Sequence, residues 1–297
     1  MANGLIIKAV AGVYTVCDSK DKTLYECKAR GIFRKEEITP LVGDNVVYEP
    51  TEQGSGIINE ILPRKNKLVR PAVANIDILF LVVAAADPKP NTFVMDKVIM
   101  NTENNNIEPI IVINKCDLSA DVTELYETYV KAGFKTFCVS AKMSDNIDEI
   151  KSLISGNTCA FTGNTGVGKS SIINAINSNF MLDTGEISKK LGRGRHTTRH
   201  IELFSFEGGF IVDTPGFSSI DMDKCGFVRK ENIQFCFREF KPYLNDCKFT
   251  DCSHTKEKGC AVIDAERRGE IPKSRFESYC RFYEEAAKIP DWQLDKQ

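Results

Sequence analysis

The sequence lacks the long apolar runs that a membrane-spanning helix requires. Its longest candidate, residues 76–86, is well short of the ~20 residues needed, so we expect a buried strand there and no membrane association. The N-terminal residues carry one lysine and no signal-peptide layout, which favours a cytoplasmic address. The net charge of −2 gives no overall indication of nucleic-acid binding, although local basic patches remain compatible with it. The single tryptophan identifies no base-stacking surface.

The 11 cysteines are an odd number and are scattered along the chain, which argues against a secreted disulfide framework. Five of them stand singly in apolar surroundings and are expected to be small core residues: Cys17, Cys27, Cys116, Cys138 and Cys159. A different group, Cys247, Cys252, His254 and Cys260, is clustered in a polar, turn-rich stretch. Three thiolates and one imidazole complete a tetrahedral set, which predicts one structural Zn²⁺. The alternative is reduced cysteines beside a surface histidine.

The 297 residues suit two or three domains. Residues 1 to about 62 contain short strands punctuated by Gly, Asp and Pro, which predicts a small barrel or sandwich, and a basic linker follows them. From Asn75 onward, continuous apolar strands alternate with helical segments, as in a parallel α/β sheet. After about Asp221 the sequence becomes rich in Cys, Phe and Lys, and residues 275–288 have helical periodicity.

A phosphate-binding loop is indicated by the motif G-x-x-x-x-G-K-[ST]. Its residues are Gly163, Asn164, Thr165, Gly166, Val167, Gly168, Lys169 and Ser170. Glycines let successive N–H groups point into one concavity that holds phosphate oxygens, and the helix that continues through Ser171 directs its positive end at the same anion. We expect Lys169 to reach the β- and γ-phosphates and Ser170 to ligate Mg²⁺.

The nucleotide is predicted to be a guanine nucleotide. Asn114-Lys115-Cys116-Asp117 fits N-K-x-D and follows an apolar strand. The carboxylate of Asp117 can accept from both N1–H and the N2 amine of guanine, donors that adenine lacks. Asn114 can bridge to the phosphate loop, and the stem of Lys115 can lie over the base. Ser140-Ala141-Lys142, which follows the next strand, fits the companion guanine loop.

The Mg²⁺ and γ-phosphate contacts are expected from a D-x-x-G motif, in which Asp213 ends an apolar strand and the N–H of Gly216 meets the γ-phosphate. Asp223–Gly226 has the same spacing but is interpreted as a turn. Thr198 is favoured over Thr197 as the switch I ligand of Mg²⁺.

The residue that orients the attacking water must differ from the one that Ras-like enzymes use. Phe217 stands where Ras-like enzymes have a glutamine, and it cannot orient water. His196 is the nearest polar candidate, and the alternative is that it only solvates its loop. Slow intrinsic hydrolysis that a partner accelerates is therefore expected.

The order of the motifs predicts a circular permutation. N-K-x-D and S-A-K come before the phosphate loop, the switch threonine and D-x-x-G, the reverse of ordinary GTPases. The segment at D-x-x-G, called switch II, then leads into the C-terminal module. We therefore hypothesise that a change that depends on the γ-phosphate is transmitted to this module. Equal solvent protection of that module in the GTP- and GDP-bound protein would exclude this coupling.

Basic residues are concentrated in two places, and contact with RNA phosphates is favoured over solvated loops. They are Lys189, Lys190, Arg193, Arg195 and Arg199 around switch I, and Arg64, Lys65, Lys67 and Arg70 in the linker.

The chain resembles, from end to end, the bacterial ribosome-small-subunit-dependent GTPase A family (RsgA, also YjeQ or YloQ). Beyond the permuted motifs, the resemblance rests on Arg30–Arg34, Val42–Asp44, Val73–Asp77, Gly194–Thr198 and the cysteine spacing. It implies an OB-fold RNA-binding β-barrel (1–67), a circularly permuted α/β P-loop GTPase domain (68–222) and a mainly α zinc-binding domain (223–297). One departure is Arg199, where many members carry a third threonine.

The resemblance also implies function. It implies binding to the 30S ribosomal subunit and 16S rRNA, GTPase activity that the 30S subunit stimulates, and a role in late 30S maturation. His196 matches a proposed catalytic residue of the family. GTP, GDP and Mg²⁺ are the expected ligands, and a monomer is expected. The alternative is a GTP-dependent RNA-binding switch with another RNA or protein target, and a third reading is an adaptor that binds GTP without turnover.

Overall fold

The N-terminal region is a closed β-barrel. The computed structural model describes residues 1–51, 54–68, 72–118, 121–177, 201–213 and 228–290. Five described strands form the barrel: β1 (Ala2–Val10), β2 (Val13–Asp18), β3 (Leu24–Ala29), β4 (Asn45–Pro50) and β5 (Ser55–Ile61), with helix α1 (Gly31–Lys35) between β3 and β4. They pair in the order β1-β2-β3-β5-β4, and β4 returns to β1. Alternate side chains such as Val46 and Tyr48 fill the interior, as period-2 strands require.

The junction behind the barrel is held by two ion pairs. Strands β6 (Lys67–Leu68) and β7 (Val73–Ala74) form a short antiparallel pair. Arg64 donates to both carboxylate oxygens of the fully buried Asp44, over 2.6 and 2.7 Å, and Lys65 forms an ion pair with Asp77. These two basic side chains, predicted as RNA contacts, thus have their charges paired within the protein.

The central region contains a mostly parallel sheet. Its strands are β8 (Ile78–Ala84), β9 (Glu108–Asn114), β10 (Thr136–Cys138), β11 (Thr158–Thr162), β12 (Glu202–Phe206) and β13 (Gly209–Asp213). The order is β10-β9-β8-β11-β13-β12, and β12 alone of these is antiparallel to its neighbour. All seven residues of β8 are buried, because helices cover both faces of such a sheet. The helices are α2 (Thr92–Asn104), α3 (Thr123–Lys131), α4 (Ile147–Ile154) and α5 (Lys169–Ile176).

The barrel and the central sheet are joined by strand pairing. Strand β1 pairs with β12 through Lys8 and Glu202, and the ammonium of Lys8 lies 2.8 Å from a carboxylate oxygen of Glu202. Strand β12 immediately follows the segment that contains the predicted switch I. The barrel is therefore paired with the strand that follows this segment in the sequence.

In the C-terminal region, which is described for residues 228–290, the regular secondary structure is helical, and turns and loops lie between the helices. Its helices are α6 (Lys230–Ile233), α7 (Ala261–Arg267) and α8 (Lys273–Ala287), with 3-10 turns at Gln234–Cys236 and Arg238–Tyr243. No helix in the described part of the chain is both long enough and apolar enough to cross a membrane.

Two arginines attach this helical module to the central sheet and its helices. Arg275 of α8 is buried and lies 2.7 Å from both Asp96 of α2 and Glu239. Although burial alone would lower the pKa of Arg275, the carboxylates of Glu239 and Asp96 raise it above its usual value. Arg238 likewise donates to Glu103 at 2.8 Å and Glu108 at 2.6 Å. The predicted fold class, a barrel followed by a parallel α/β domain and a helical module, is confirmed.

Candidate functional site: a nucleotide site and a metal-ligand cluster

The predicted nucleotide-binding segments meet at one edge of the central sheet. Parallel strands have their carboxyl ends at the same edge, and β8, β9, β11 and β13 end there at Ala84, Asn114, Thr162 and Asp213. In an open α/β sheet this is the edge at which ligands bind. The motifs follow β9, β11 and β13, and these strands lie close together in the order β9-β8-β11-β13. The permuted order of the motifs along the chain therefore does not separate them in space.

The phosphate loop has the backbone that its glycines predict. Gly163 and Gly168 both have positive φ, of 142° and 97°. A side-chain carbon at Gly163 would lie 2.0 Å from the carbonyl oxygen of Val82, and one at Gly168 would lie 2.2 Å from the amide nitrogen of Asn114. Helix α5 begins at Lys169 directly after the loop, and Ser170 and Ser171 lie in its first turn. At Gly163 and Gly168 the loop therefore approaches β8 and the N-K-x-D motif too closely for a residue with a side chain.

Asn114 connects the phosphate loop to the two guanine motifs. Its side chain is 2% exposed and donates to the carbonyl oxygen of Val167 over 2.9 Å. The same amide accepts from the backbone N–H of Ala141, the central residue of Ser140-Ala141-Lys142, over 3.1 Å. The hydroxyl of Ser140 donates to a carboxylate oxygen of Asp117 over 2.7 Å. These bonds bring residues 114–117, 140–142 and 163–170 into one polar cluster.

Two lysines of the site contact backbone carbonyl groups. The ammonium of Lys169 donates to the carbonyl oxygens of Gly163 and Asn164, at 2.6 and 2.8 Å. Burial lowers the pKa of Lys169 to about 8. Lys115, with φ of 67°, donates to the carbonyl oxygen of Asp87 over 2.6 Å. This contact was not predicted, because Asp87 lies 28 residues before Lys115 in the sequence.

The remaining predicted nucleotide and Mg²⁺ residues are only partly described. Asp213 is the last residue of β13, next to the strand that leads into the phosphate loop. His196, Thr197, Thr198 and Gly216 lie outside the described residues.

The predicted zinc ligands converge in the helical module. The ligand atoms of Cys247, Cys252, His254 and Cys260 all lie within 4.8 Å of one another. The sulfurs of Cys247 and Cys260 are 3.8 Å apart, and Nδ1 of His254 lies 3.5 Å from the first and 3.3 Å from the second. With Zn–S of about 2.3 Å and Zn–N of about 2.0–2.1 Å, a regular tetrahedron has S···S edges of about 3.8 Å and S···N edges of about 3.5 Å. The distances among Cys247, Cys260 and His254 match the edges of a tetrahedral Zn²⁺ site, and Cys252 lies close enough to be the fourth ligand.

A neighbouring glutamine orients the histidine of this cluster. Nε2 of His254 lies 2.9 Å from Oε1 of Gln234, so that Nε2–H donates and Nδ1 faces the cysteines. Gln234 lies 20 residues before His254 and belongs to no local motif, so the sequence alone did not identify it.

Comparisons with known proteins agree with this architecture. Residues 61–223 match the family model described as RsgA GTPase, and residues 3–58 match the RsgA N-terminal domain. The small ribosomal subunit biogenesis GTPase RsgA of Ruminiclostridium cellulolyticum is 39% identical over 300 residues, which cover 100% of this chain and 97% of the relative. The protein of the same name from Caldanaerobacter subterraneus is 43% identical, with 93% of this chain and 92% of the relative covered.

Solved structures show the same likeness. The crystal structure of YjeQ from Thermotoga maritima has a TM-score of 0.84 and 35% identity, and covers 97% of this chain and 99% of its own. YloQ, described as a circularly permuted GTPase, has a TM-score of 0.81 and 35% identity, with 98% and 96% covered. The predicted family, the permuted fold and the GTPase class are confirmed: the chain is a GTP-hydrolysing enzyme of the RsgA GTPase family.

Proposed function

We propose that this GTPase binds the 30S ribosomal subunit through 16S rRNA, assists its late maturation, and hydrolyses GTP faster when bound to it. GTP binding is supported by the side chain of Asn114, which joins the phosphate loop to the guanine loops by hydrogen bonds of 2.9 and 3.1 Å. The ribosomal half rests on the relatives, which are named small ribosomal subunit biogenesis GTPases. Those names favour the small subunit over the alternative of another RNA or protein target.

The residues of the site have distinct proposed roles. Asp117, which Ser140 holds by a hydrogen bond, accepts from guanine. The backbone of residues 163–171 surrounds the phosphates, and the ammonium of Lys169 exchanges its two carbonyl partners for phosphate oxygens. Ser170, Asp213 and Thr198 or Thr197 would hold Mg²⁺, which neutralises charge on the phosphates when bound. Both threonines lie outside the described residues.

The hydrolytic step is assigned from the sequence alone. Gly216 would donate its N–H to the γ-phosphate, and His196 would orient the attacking water. A His196→Ala variant should lower kcat at least tenfold and leave the Kd for GTP unchanged, because the histidine would contact the water rather than the nucleotide. An unchanged kcat would remove His196 from the mechanism.

The zinc cluster is proposed to be structural. Four protein ligands leave no position for a reacting water, and a helical module this small gains stability from such a cross-link. We also propose domain boundaries at 67/68 and 222/223, with a monomeric protein in the cytoplasm where ribosomes assemble. Strand β6 (Lys67–Leu68) spans the first boundary, and the second lies outside the described residues.

The test is GTP hydrolysis by the purified protein alone and with purified 30S subunits, 50S subunits or tRNA. Phosphate release should rise with 30S subunits only. Lys169→Ala should abolish it, whereas Lys151→Ala, a partly exposed helix lysine paired with Asp148, should not. Equal stimulation by 50S subunits or tRNA would support the alternative target, and phosphate release no faster than without enzyme would leave only a GTP-binding adaptor.

A further inference from the structure

Two cysteines that are far apart along the chain meet beside the guanine loops. Cys116 lies in N-K-x-D, and Cys138 ends β10, which is the strand before Ser140. The parallel pairing of β9 and β10 places Ile113 opposite Cys138. The backbone N–H of Cys116 donates to the carbonyl oxygen of Val139 over 3.2 Å. The chain from Ile113 to Cys116 is therefore folded against the end of β10.

The side chains of Cys116 and Cys138 are neighbours across this fold. The thiol of Cys116 donates to the carbonyl oxygen of Ile113 over 3.3 Å, and Val139 N–H donates to the same oxygen over 2.8 Å. Each of the two thiols affects the pKa of the other, because their side chains lie close together. Both residues are half-buried at the margin of the same hydrophobic cluster. Each was expected from the sequence to be an isolated core residue, and the structure makes them a pair.

We propose that Cys116 and Cys138 are a site of reversible disulfide formation that weakens guanine-nucleotide binding, an inference that rests on the proposed GTP site. The co-reactant is a low-molecular-weight disulfide, RSSR. The thiolate of one cysteine attacks RSSR and releases RSH, and the second thiol then displaces the other RS group as RSH. The protein loses two hydrogens and two electrons, and RSSR gains them as two RSH. A dithiol reverses the reaction.

The environment of the pair sets the rate of this reaction. Burial, followed by the neighbouring Cys138, raises the pKa of Cys116 to about 11, and burial also raises the pKa of Cys138. Both groups are therefore protonated thiols at neutral pH, and thiols react far more slowly than thiolates. The oxidation should be slow and faster at alkaline pH. The quantity to measure is accordingly the equilibrium between the thiol pair and the disulfide.

The bond would act on the nucleotide through Asp117. A disulfide needs its sulfurs about 2.05 Å apart, so the side chain of Cys116 has to leave its carbonyl partner at Ile113. Cys116 is the neighbour of both Lys115 and Asp117, whose carboxylate must stay aligned with guanine. We expect at least fivefold weaker GDP binding in the oxidised protein. Because the coupling is reciprocal, GDP should disfavour the disulfide by the same factor.

The experiment equilibrates the full-length, zinc-loaded protein with mixtures of reduced and oxidised glutathione, with and without saturating GDP. Trapped samples are digested with trypsin. The expected product joins peptide 116–131 to peptide 136–142, with a mass two hydrogens below their sum. GDP affinity is measured on the oxidised protein and again after dithiothreitol. A chromophoric zinc indicator excludes samples in which the zinc cysteines have reacted.

Variants separate the pair from other thiols. Cys138→Ser should bind GDP equally with and without oxidised glutathione. Cys280→Ser, which changes a half-buried cysteine on α8, should behave like the unchanged protein. The proposal is overturned if no 116–138 cross-link forms under fully oxidising conditions, or if the cross-link forms and GDP affinity stays the same. Failure of the reduced protein to bind GDP would instead refute the proposed nucleotide site, and the peptide assay would still report on the disulfide.

Discussion

Replacing Asn114 by alanine should damage nucleotide binding more than its lack of charge suggests. The change removes two hydrogen bonds, to Val167 at 2.9 Å and from Ala141 at 3.1 Å, in a position that is 2% exposed. Each lost bond leaves a backbone group without its partner, at about 1–2 kcal/mol apiece. The total of about 2–4 kcal/mol is the free energy that holds the phosphate loop and the guanine loops in one arrangement. If GDP must restore that arrangement on binding, its Kd should rise about 30- to 1000-fold.

The assay is calorimetric or fluorescent GDP titration, together with urea unfolding of the same variants. Asn66→Ala is the matched control, because Asn66 is 8% exposed and its amide also makes two bonds, both to the backbone of Ile76 at 2.7 and 2.9 Å. Ile76 precedes β8, at the sheet edge opposite to the nucleotide. Both variants should lose similar stability, and only Asn114→Ala should lose affinity. A rise in Kd of less than threefold would refute the bridging role.

Three further outcomes follow from the side-chain contacts. Because burial lowers the pKa of Lys169 to about 8 and phosphate would raise it again, GDP binding should take up about half a proton at about pH 8 and weaken about fourfold between about pH 7 and about pH 8.5. Calorimetry in two buffers of different ionisation enthalpy measures this uptake. Gln234→Ala should weaken Zn²⁺ binding about 10- to 100-fold in competition with a chromophoric chelator, because it frees Nε2 of His254. Arg275→Met should lower the free energy of unfolding by about 3–5 kcal/mol in urea titrations, because it leaves Asp96 and Glu239 as buried carboxylates without their cation.

Each of these outcomes has a control on the same element or class of residue. Buffer-independent binding heats would contradict the assignment of a lowered pKa to Lys169. Asn232→Ala changes an exposed amide two residues before Gln234 and should leave Zn²⁺ affinity as it was. Arg267→Met breaks an exposed pair with Asp264 and should cost less than about 1 kcal/mol. A similar loss of stability for Arg267→Met and Arg275→Met would refute the special role of the buried arginine.

The local pattern of the sequence was sufficient to predict most strands of the GTPase sheet. Continuous apolar runs such as Ile78–Ala84 are unambiguous, because a strand buried on both faces needs them. The pattern did not identify strand β5 (Ser55–Ile61), because Ser55 and Gly56 are residues typical of turns. The reason for glycine there is packing: a side-chain carbon at Gly56 would lie 2.8 Å from the sulfur of Cys27 inside the barrel. That constraint arises only when the barrel is closed.

Some features of the candidate site were predicted from the sequence, and others became known only from the structure. The phosphate loop, N-K-x-D and the cysteine cluster are short motifs, whose chemistry depends on neighbours in the sequence. Gln234 lies beside His254, and Cys116 beside Cys138, because the fold brings separate segments together. The linear sequence does not indicate which of these segments meet. The pattern of charges likewise does not indicate that Arg64 and Lys65 have carboxylate partners in the fold.

The pairing of β1 with β12 bears on how this chain can be divided. An open sheet edge invites a strand from another polypeptide, and proteins usually cover such edges. Here the chain's own N-terminal barrel occupies that place at Lys8 and Glu202. Deleting the barrel would uncover backbone groups on β12 as well as remove the module that we propose binds RNA. The first two domains are thus better treated as one unit when fragments of this protein are designed.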